Sequence, residues 1–263
     1  MTANFIGQSR SPGRRVSFEN VVERLYGLGR DTDGRLANLR KKMLYARFGT
    51  MLEDFDSLGG TCEFAMFHQH CGVDRVGLLR FANIPVANLA RAIDERFEKF
   101  RAGEVSLNID LPRRGEYIAR QPDYEMQFHT WQFEWEIERD TLRDNLARKW
   151  RFLARKLIED FERGDRLFVY RFMAGAGPAD VARVARAIRK HGPATVLWVR
   201  ESGAGNPPGS VEFVEDGLMH GFVTRFAPDN RAADFHVAGW LELCRNARAA
   251  WRAARGKNGE AAA

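Results

Sequence analysis

Leu167-Phe168-Val169-Tyr170-Arg171-Phe172, then a helical stretch from Pro178 to His191, then Thr195-Val196-Leu197-Trp198-Val199: these three segments decide the fold. Each outer segment is a short, continuous apolar run. Such a run reads as a strand covered on both faces, because a half-exposed strand would alternate apolar and polar residues. Between them, Val181, Val184 and Ile188 keep helical spacing, Pro178 suits a first helical turn and Gly192 stops the helix. Strand, crossover helix and strand give a parallel pair, the unit of an α/β sheet.

Working outward, the pattern continues in both directions. Asp140 and Thr141 open the longest predicted helix, to about Glu162. Its apolar stripe Leu142, Leu146, Trp150, Leu153, Leu157 and Phe161 faces a core, and Gly164 closes it. Asp54–Leu58 reads as another buried strand, followed by a glycine turn and a helix to His70, with Gly72 just past its end. Gly77–Ala82 reads as a further short strand. Pro85 opens a helix carrying Leu89, Ile93 and Phe97. Residues 103–131 alternate as half-exposed β structure around the turn Gln121-Pro122-Asp123. Downstream come a Gly/Asn/Pro loop at 203–209, strands at 211–214 and 221–226, and a last helix from Asp234 to Trp251. The expected fold is a three-layer α/β domain over 50–252, with a mostly parallel sheet flanked by helices. Residues 17–49 form an N-terminal helical arm, 1–16 a disordered basic tail and 253–263 a frayed tail.

Composition narrows the function classes. Of 263 residues, 44% are hydrophobic and 29% charged, as in a globular protein that buries a full core. Net charge is +6, but arginines are interleaved with acids, which reads as a solvated surface and argues against a nucleic-acid partner. The basic face Arg40, Lys41, Lys42 and Arg47 leaves open that 18–48 docks a partner. Three cysteines do not make a disulfide framework, so free thiols and a cytoplasmic setting are expected. No run reaches the roughly 18 apolar residues of a membrane span, and no apolar stretch marks a secretory signal.

The candidate chemistry centres on Ser57-Leu58-Gly59-Gly60-Thr61-Cys62-Glu63. Two glycines turn the chain from strand to helix, and Cys62 then sits at a helix N-terminus. There the positive end of the helix would lower the thiol's pKa. In open α/β sheets ligands collect at the carboxyl ends of strands. His129, at the end of a strand, and Asp234-Phe235-His236, before the last helix, map to the same edge. A cysteine nucleophile needs a base and a group that orients it. Either His129 or His236 could be the base, with Asp234 as orienter. Trp131, Phe133 and Trp135 alternate, as a sugar platform or a strand edge would, and Arg80 and Trp131 are candidate ligand contacts. The spacing of Cys62, His68, His70 and Cys71 does not make a zinc site. Neither a P-loop nor a dinucleotide fingerprint is present, so no cofactor is expected.

The cysteine turn, Leu78-Leu79-Arg80-Phe81, Phe128-His129 and Leu167–Arg171 together resemble a bacterial family of unknown function named for papain-like cysteine peptidases. The resemblance covers roughly 54–200 and implies Cys62 as nucleophile and His129 as base. Thr130 stands where that family has an acid after the histidine. Gly60-Thr61-Cys62-Glu63-Phe64-Ala65 also looks like the nucleophile turn of the GSCFA branch of SGNH-type esterases, with Asp234-x-His236 standing for its Asp-x-x-His block. That likeness implies Thr61 at the serine position, with the Gly59 and Gly60 amides as oxyanion donors. The expected activity is a hydrolase or acyl-transferase acting on a small molecule, a peptide or a glycan. The alternative is a glycan-recognising module without catalysis, of a kind linked to envelope polysaccharide metabolism.

Overall fold

The computed structural model describes residues 34–101, 105–113, 115–171, 175–228 and 231–261. The expected basic tail and the first part of the helical arm lie outside them. The chain divides into two compact units, 1–40 and 41–263. Helix α1 (Gly34–Leu52) continues through Gly49 instead of stopping near Phe48, and both sheets belong to the second unit.

The decisive segments form as their patterns require. β1 (Phe55–Ser57), β6 (Leu167–Arg171) and β7 (Thr195–Glu201) run parallel, paired Phe55 to Leu167 and Leu167 to Thr195. β9 (Leu218–Val223) extends the parallel set beside β7, and β8 (Val211–Glu215) closes the sheet antiparallel to β9, in the order β1-β6-β7-β9-β8. The β6–β7 crossover is α6 (Pro178–Arg189). α5 (Arg139–Arg163) buries the predicted stripe, with Phe161 edge-on to Phe168 at 4.7 Å. Gly164 ends it in the left-handed conformation (φ 60°), where a Cβ would strike Pro193 and Ala194. The opposite face carries α2 (Glu63–His70) and α7 (Val237–Ala261). Trp240 of α7 stacks on Phe67 at 5.8 Å, and Leu243 fills the space left by Gly221.

A second, four-stranded antiparallel sheet runs β2-β5-β4-β3: β2 (Ala82–Asn83), β3 (Asn108–Arg113), β4 (Glu116–Gln121) and β5 (Met126–Phe133). α5 serves both sheets, since Trp150 packs on Phe128 at 4.0 Å while Phe161 packs on Phe168. α3 (Val86–Asp94) and the short α4 (Glu98–Arg101) complete this side, with Leu89, Ile93, Phe97 and Phe100 fully buried.

Several boundaries differ from expectation. The strand expected at 221–226 lies at Leu218–Val223, and of the 77–82 run only Ala82 belongs to a strand, β2. Upstream, Arg80 donates to Asp74 Oδ1 (2.9 Å), the Val73 carbonyl (3.1 Å) and the Arg75 carbonyl, folding that segment back on itself. The last helix starts at Val237, three residues after Asp234. The stretch from 253, expected to fray, continues that helix to Ala261. Among the described residues no helix is long and apolar enough to cross a membrane.

Candidate functional site

The carboxyl ends of β1, β6 and β7, the loop after β9 and one side of the antiparallel sheet enclose a cavity of about 1090 Å³. Cys62, Thr61 and Gly60 enter it from the turn after β1. Arg171, Arg200 and Glu201 enter from β6 and β7, Phe226 to Pro228 from the loop, and His129, Trp131, Asn83 and Gln127 from the second sheet. The turn is made by Gly59 (φ 80°) and Gly60 (φ 89°). A side chain at Gly59 would lie 2.8 Å from the Ala82 carbonyl oxygen, so the turn can approach β2 only without one.

Of the residues singled out from sequence, Cys62, His129, Gly60, Thr61 and Trp131 share this cavity. The others do not line it. Asp234 lies 3.8 Å from Arg225 and 3.9 Å from Arg231, and His236 leans over Gly239 at the start of α7. Asp234 therefore does not orient His129. Arg80 is spent on the loop bonds described above. The proposed oxyanion donors are also committed, because the Gly59 amide donates to Ser57 Oγ (3.1 Å) and the Gly60 amide to the Ala82 carbonyl (3.1 Å). Among the described residues, the amides of Cys62 and Phe64 have no acceptor, as expected for a helix's first turn.

The residue that orients His129 is Glu116, which sequence reasoning missed. Its two carboxylate oxygens lie 3.2 and 3.3 Å from His129 Nδ1. An ionised carboxylate only accepts, so Nδ1 carries the hydrogen and Nε2 of a neutral ring keeps its lone pair. Glu116 Oε1 also accepts the Trp131 amide at 3.1 Å. These bonds hold a bulge. Between the Glu116–Phe133 and Ile118–His129 pairs, β5 uses two residues more than β4. Trp131 sits there at φ 53°, a backbone region that bulky residues rarely occupy. Thr130 Oγ1 pins the bulge by donating to the Tyr117 carbonyl (2.5 Å) and accepting the Gln132 amide (3.1 Å). The Trp131 ring, 47% exposed, stands 5.8 Å from the His129 ring and 5.9 Å from Phe81. A signal for Glu116 existed. Reading the register back from the Gln121-Pro122-Asp123 turn pairs Ile118 with His129 and leaves Glu116 as a diagonal neighbour.

The Cys62 thiol is not acidified. Burial, and after it the charge of Glu116, push it up to about 11, overriding the helix N-terminus. It makes no hydrogen bond among the described residues, so no ion pair with His129 exists in this state. Beneath it, Glu63 is 1% exposed and anchors the site floor. Its carboxylate pairs with Arg171 (2.9 Å) and accepts from Trp240 Nε1 (2.9 Å) and the Ala227 amide (3.2 Å). His68 is buried against Phe64 at 4.2 Å, and Cys71 is fully buried. Among the described residues no group of three or more His, Cys, Asp or Glu side chains is placed to hold a metal ion.

No family model, curated protein or solved structure matches the chain.

Proposed function

We propose that the chain is a cysteine-dependent hydrolase or acyl-transferase, with Cys62 as nucleophile, His129 as general base and Glu116 as the group that orients the base. The observation that carries this reading is the presence of Cys62 and the Glu116-held His129 on one cavity at the carboxyl edge of a parallel sheet.

The raised thiol pKa selects the form of the mechanism. A resting thiolate–imidazolium pair is disfavoured, because burial and Glu116 both oppose a negative sulfur. The proton therefore leaves sulfur as the sulfur attacks. Nε2 of His129 takes it while an S–C bond forms to a carbonyl carbon and the carbonyl π pair moves to oxygen. The oxyanion would meet the amide of Cys62, which lines the cavity and has no acceptor among the described residues. The oxygen pair then returns to re-form the carbonyl as the bond from carbon to the leaving group breaks, and the same proton passes from Nε2 to that group. This leaves a thioester that water or an acceptor cleaves.

Incubation with p-nitrophenyl acetate tests this. Mass spectrometry should find acetyl on Cys62, none there in Cys62→Ala, and a rate lower by roughly 10²-fold or more in His129→Ala. Acetylation no faster than that of a free thiol, or unaffected by His129→Ala, would end the reading.

The high thiol pKa, with the half-exposed Trp131 face beside Phe81, favours a second reading, a glycan-binding module in which Cys62 has no chemical role. Saturable oligosaccharide binding, unchanged in Cys62→Ala and lost in Trp131→Ala, would support it.

A further inference from the structure

We infer that Arg200 forms an oxyanion-binding subsite inside the cavity, so that the substrate carries a carboxylate or phosphate group away from its reacting carbonyl. The inference rests on the acyl-transfer reading for the word substrate, but not for the site itself.

Two arginines reach the cavity from the carboxyl ends of adjacent parallel strands, and they differ in one respect. Arg171 is neutralised by Glu63 at 2.9 Å. Arg200 has no carboxylate within ion-pair distance and no hydrogen-bond acceptor among the described residues. The neighbouring acid, Glu201, is turned to the Phe226 amide at 2.7 Å, and Glu212 lies 3.5 Å from His220. The Arg200 guanidinium is nevertheless held. Its carbon lies 5.0 Å from the Trp198 ring centroid and 5.8 Å from that of Phe222, so two aromatic rings hold the group by cation–π contact while its N–H donors have no protein acceptor among the described residues. Its charge is felt locally, because burial, and then Arg200, hold His220 below its ordinary range.

A half-buried cation that no acid compensates is costly unless water or a ligand meets it. A guanidinium beside two rings, with unused N–H donors, can pair with the two oxygens of a carboxylate or phosphate. With the free amide of Cys62 near the thiol, the cavity would present one anchor for a standing negative charge and another for a charge that develops during reaction.

The experiment compares two alkylating agents of similar size, iodoacetate and iodoacetamide, by mass-spectrometric rates at Cys62. The iodoacetate-to-iodoacetamide rate ratio should exceed that of glutathione. It should fall by about fivefold in Arg200→Gln, recover in part in Arg200→Lys, and shrink as KCl screens the charge. An equal ratio in the native protein and Arg200→Gln overturns the subsite. Calorimetric titration with succinate, inorganic phosphate and neutral succinamide gives a readout independent of the thiol. Succinate or phosphate heats that disappear in Arg200→Gln support the subsite and identify its anion. Heats that are equal in both proteins, or absent from both, overturn it. If neither reagent modifies Cys62, the acyl-transfer reading fails and the titration alone decides the subsite.

Discussion

Glu116 performs two tasks that oppose each other. It orients His129 and holds the bulge amide, and its charge also discourages ionisation of Cys62. Glu116→Gln should therefore make the Cys62 thiol more acidic and yet leave the site slower. The Cys62 thiol pKa, read from the pH dependence of iodoacetamide alkylation, should fall, yet stay above the ordinary value because burial is unchanged. Acetylation by p-nitrophenyl acetate should slow by roughly 10²-fold or more, since the base loses the carboxylate that fixes its tautomer. A lower thiol pKa with acetylation unchanged or faster would mean that Glu116 only sets the local charge. At this scale the sequence was half legible. Cys62, Thr61 and Gly60 follow from a strand–glycine–helix pattern, and His129 from the end of a strand. Asp234 and His236 look equally suitable in a string of letters. What separates them from the site is the start of α7 at Val237 and the Arg225 and Arg231 contacts of Asp234, which depend on tertiary packing.

The element that aims the site is the β4–β5 pair with its bulge. Trp131 in the left-handed region costs about 1–3 kcal/mol, and Thr130, through its hydroxyl bonds, helps offset it. Thr130→Val keeps the shape and β propensity but removes both bonds. It should cost about 1–2 kcal/mol in urea unfolding and loosen the hold on His129, lowering p-nitrophenyl acetate reactivity with Cys62 still in place. A loss below about 0.3 kcal/mol would show that the backbone alone sets the bulge. The helices were the most legible elements, because a 25-residue amphipathic stripe such as that of α5 admits one reading. The bulge was not legible, because inserting residues into a strand leaves no periodic trace once alternation is broken.

For the whole molecule, the sequence announced the parallel α/β layer but not its separation from a second, antiparallel sheet. Alternating strands near 103–131 were visible, yet nothing local says whether such strands extend an existing sheet or start another. The decision belongs to α5, which offers Phe161 to one sheet and Trp150 to the other. Global stability should carry an acid-sensitive term from His68. Burial, and then the charges of Arg80 and Arg75, lower its pKa to about 3. A base with a depressed folded pKa contributes stability that is complete above its unfolded value near 6.5 and is lost as pH falls toward 3. His68→Phe should keep the ring packing against Phe64 while flattening the fall in unfolding free energy between pH 6.5 and 4. Asp56 and Glu63, raised chiefly by burial, tilt the curve the other way in both proteins and cancel in the comparison. Parallel pH curves for the two proteins would place His68 in an open, solvated position.

The outermost strand of the parallel sheet, β8, leaves Phe213 and Val214 45% and 44% exposed, flanked by Glu212 and Glu215. A bare strand margin is a template on which a neighbouring copy can stack, and the charged groups along it, Glu215 paired with Arg186 at 3.2 Å and Glu212 beside His220 at 3.5 Å, would have to be stripped of water for that to happen. Crowding therefore works against a ledge that is guarded by charge alone. The protein's colloidal lifetime depends on two polar pairs remote from its chemistry.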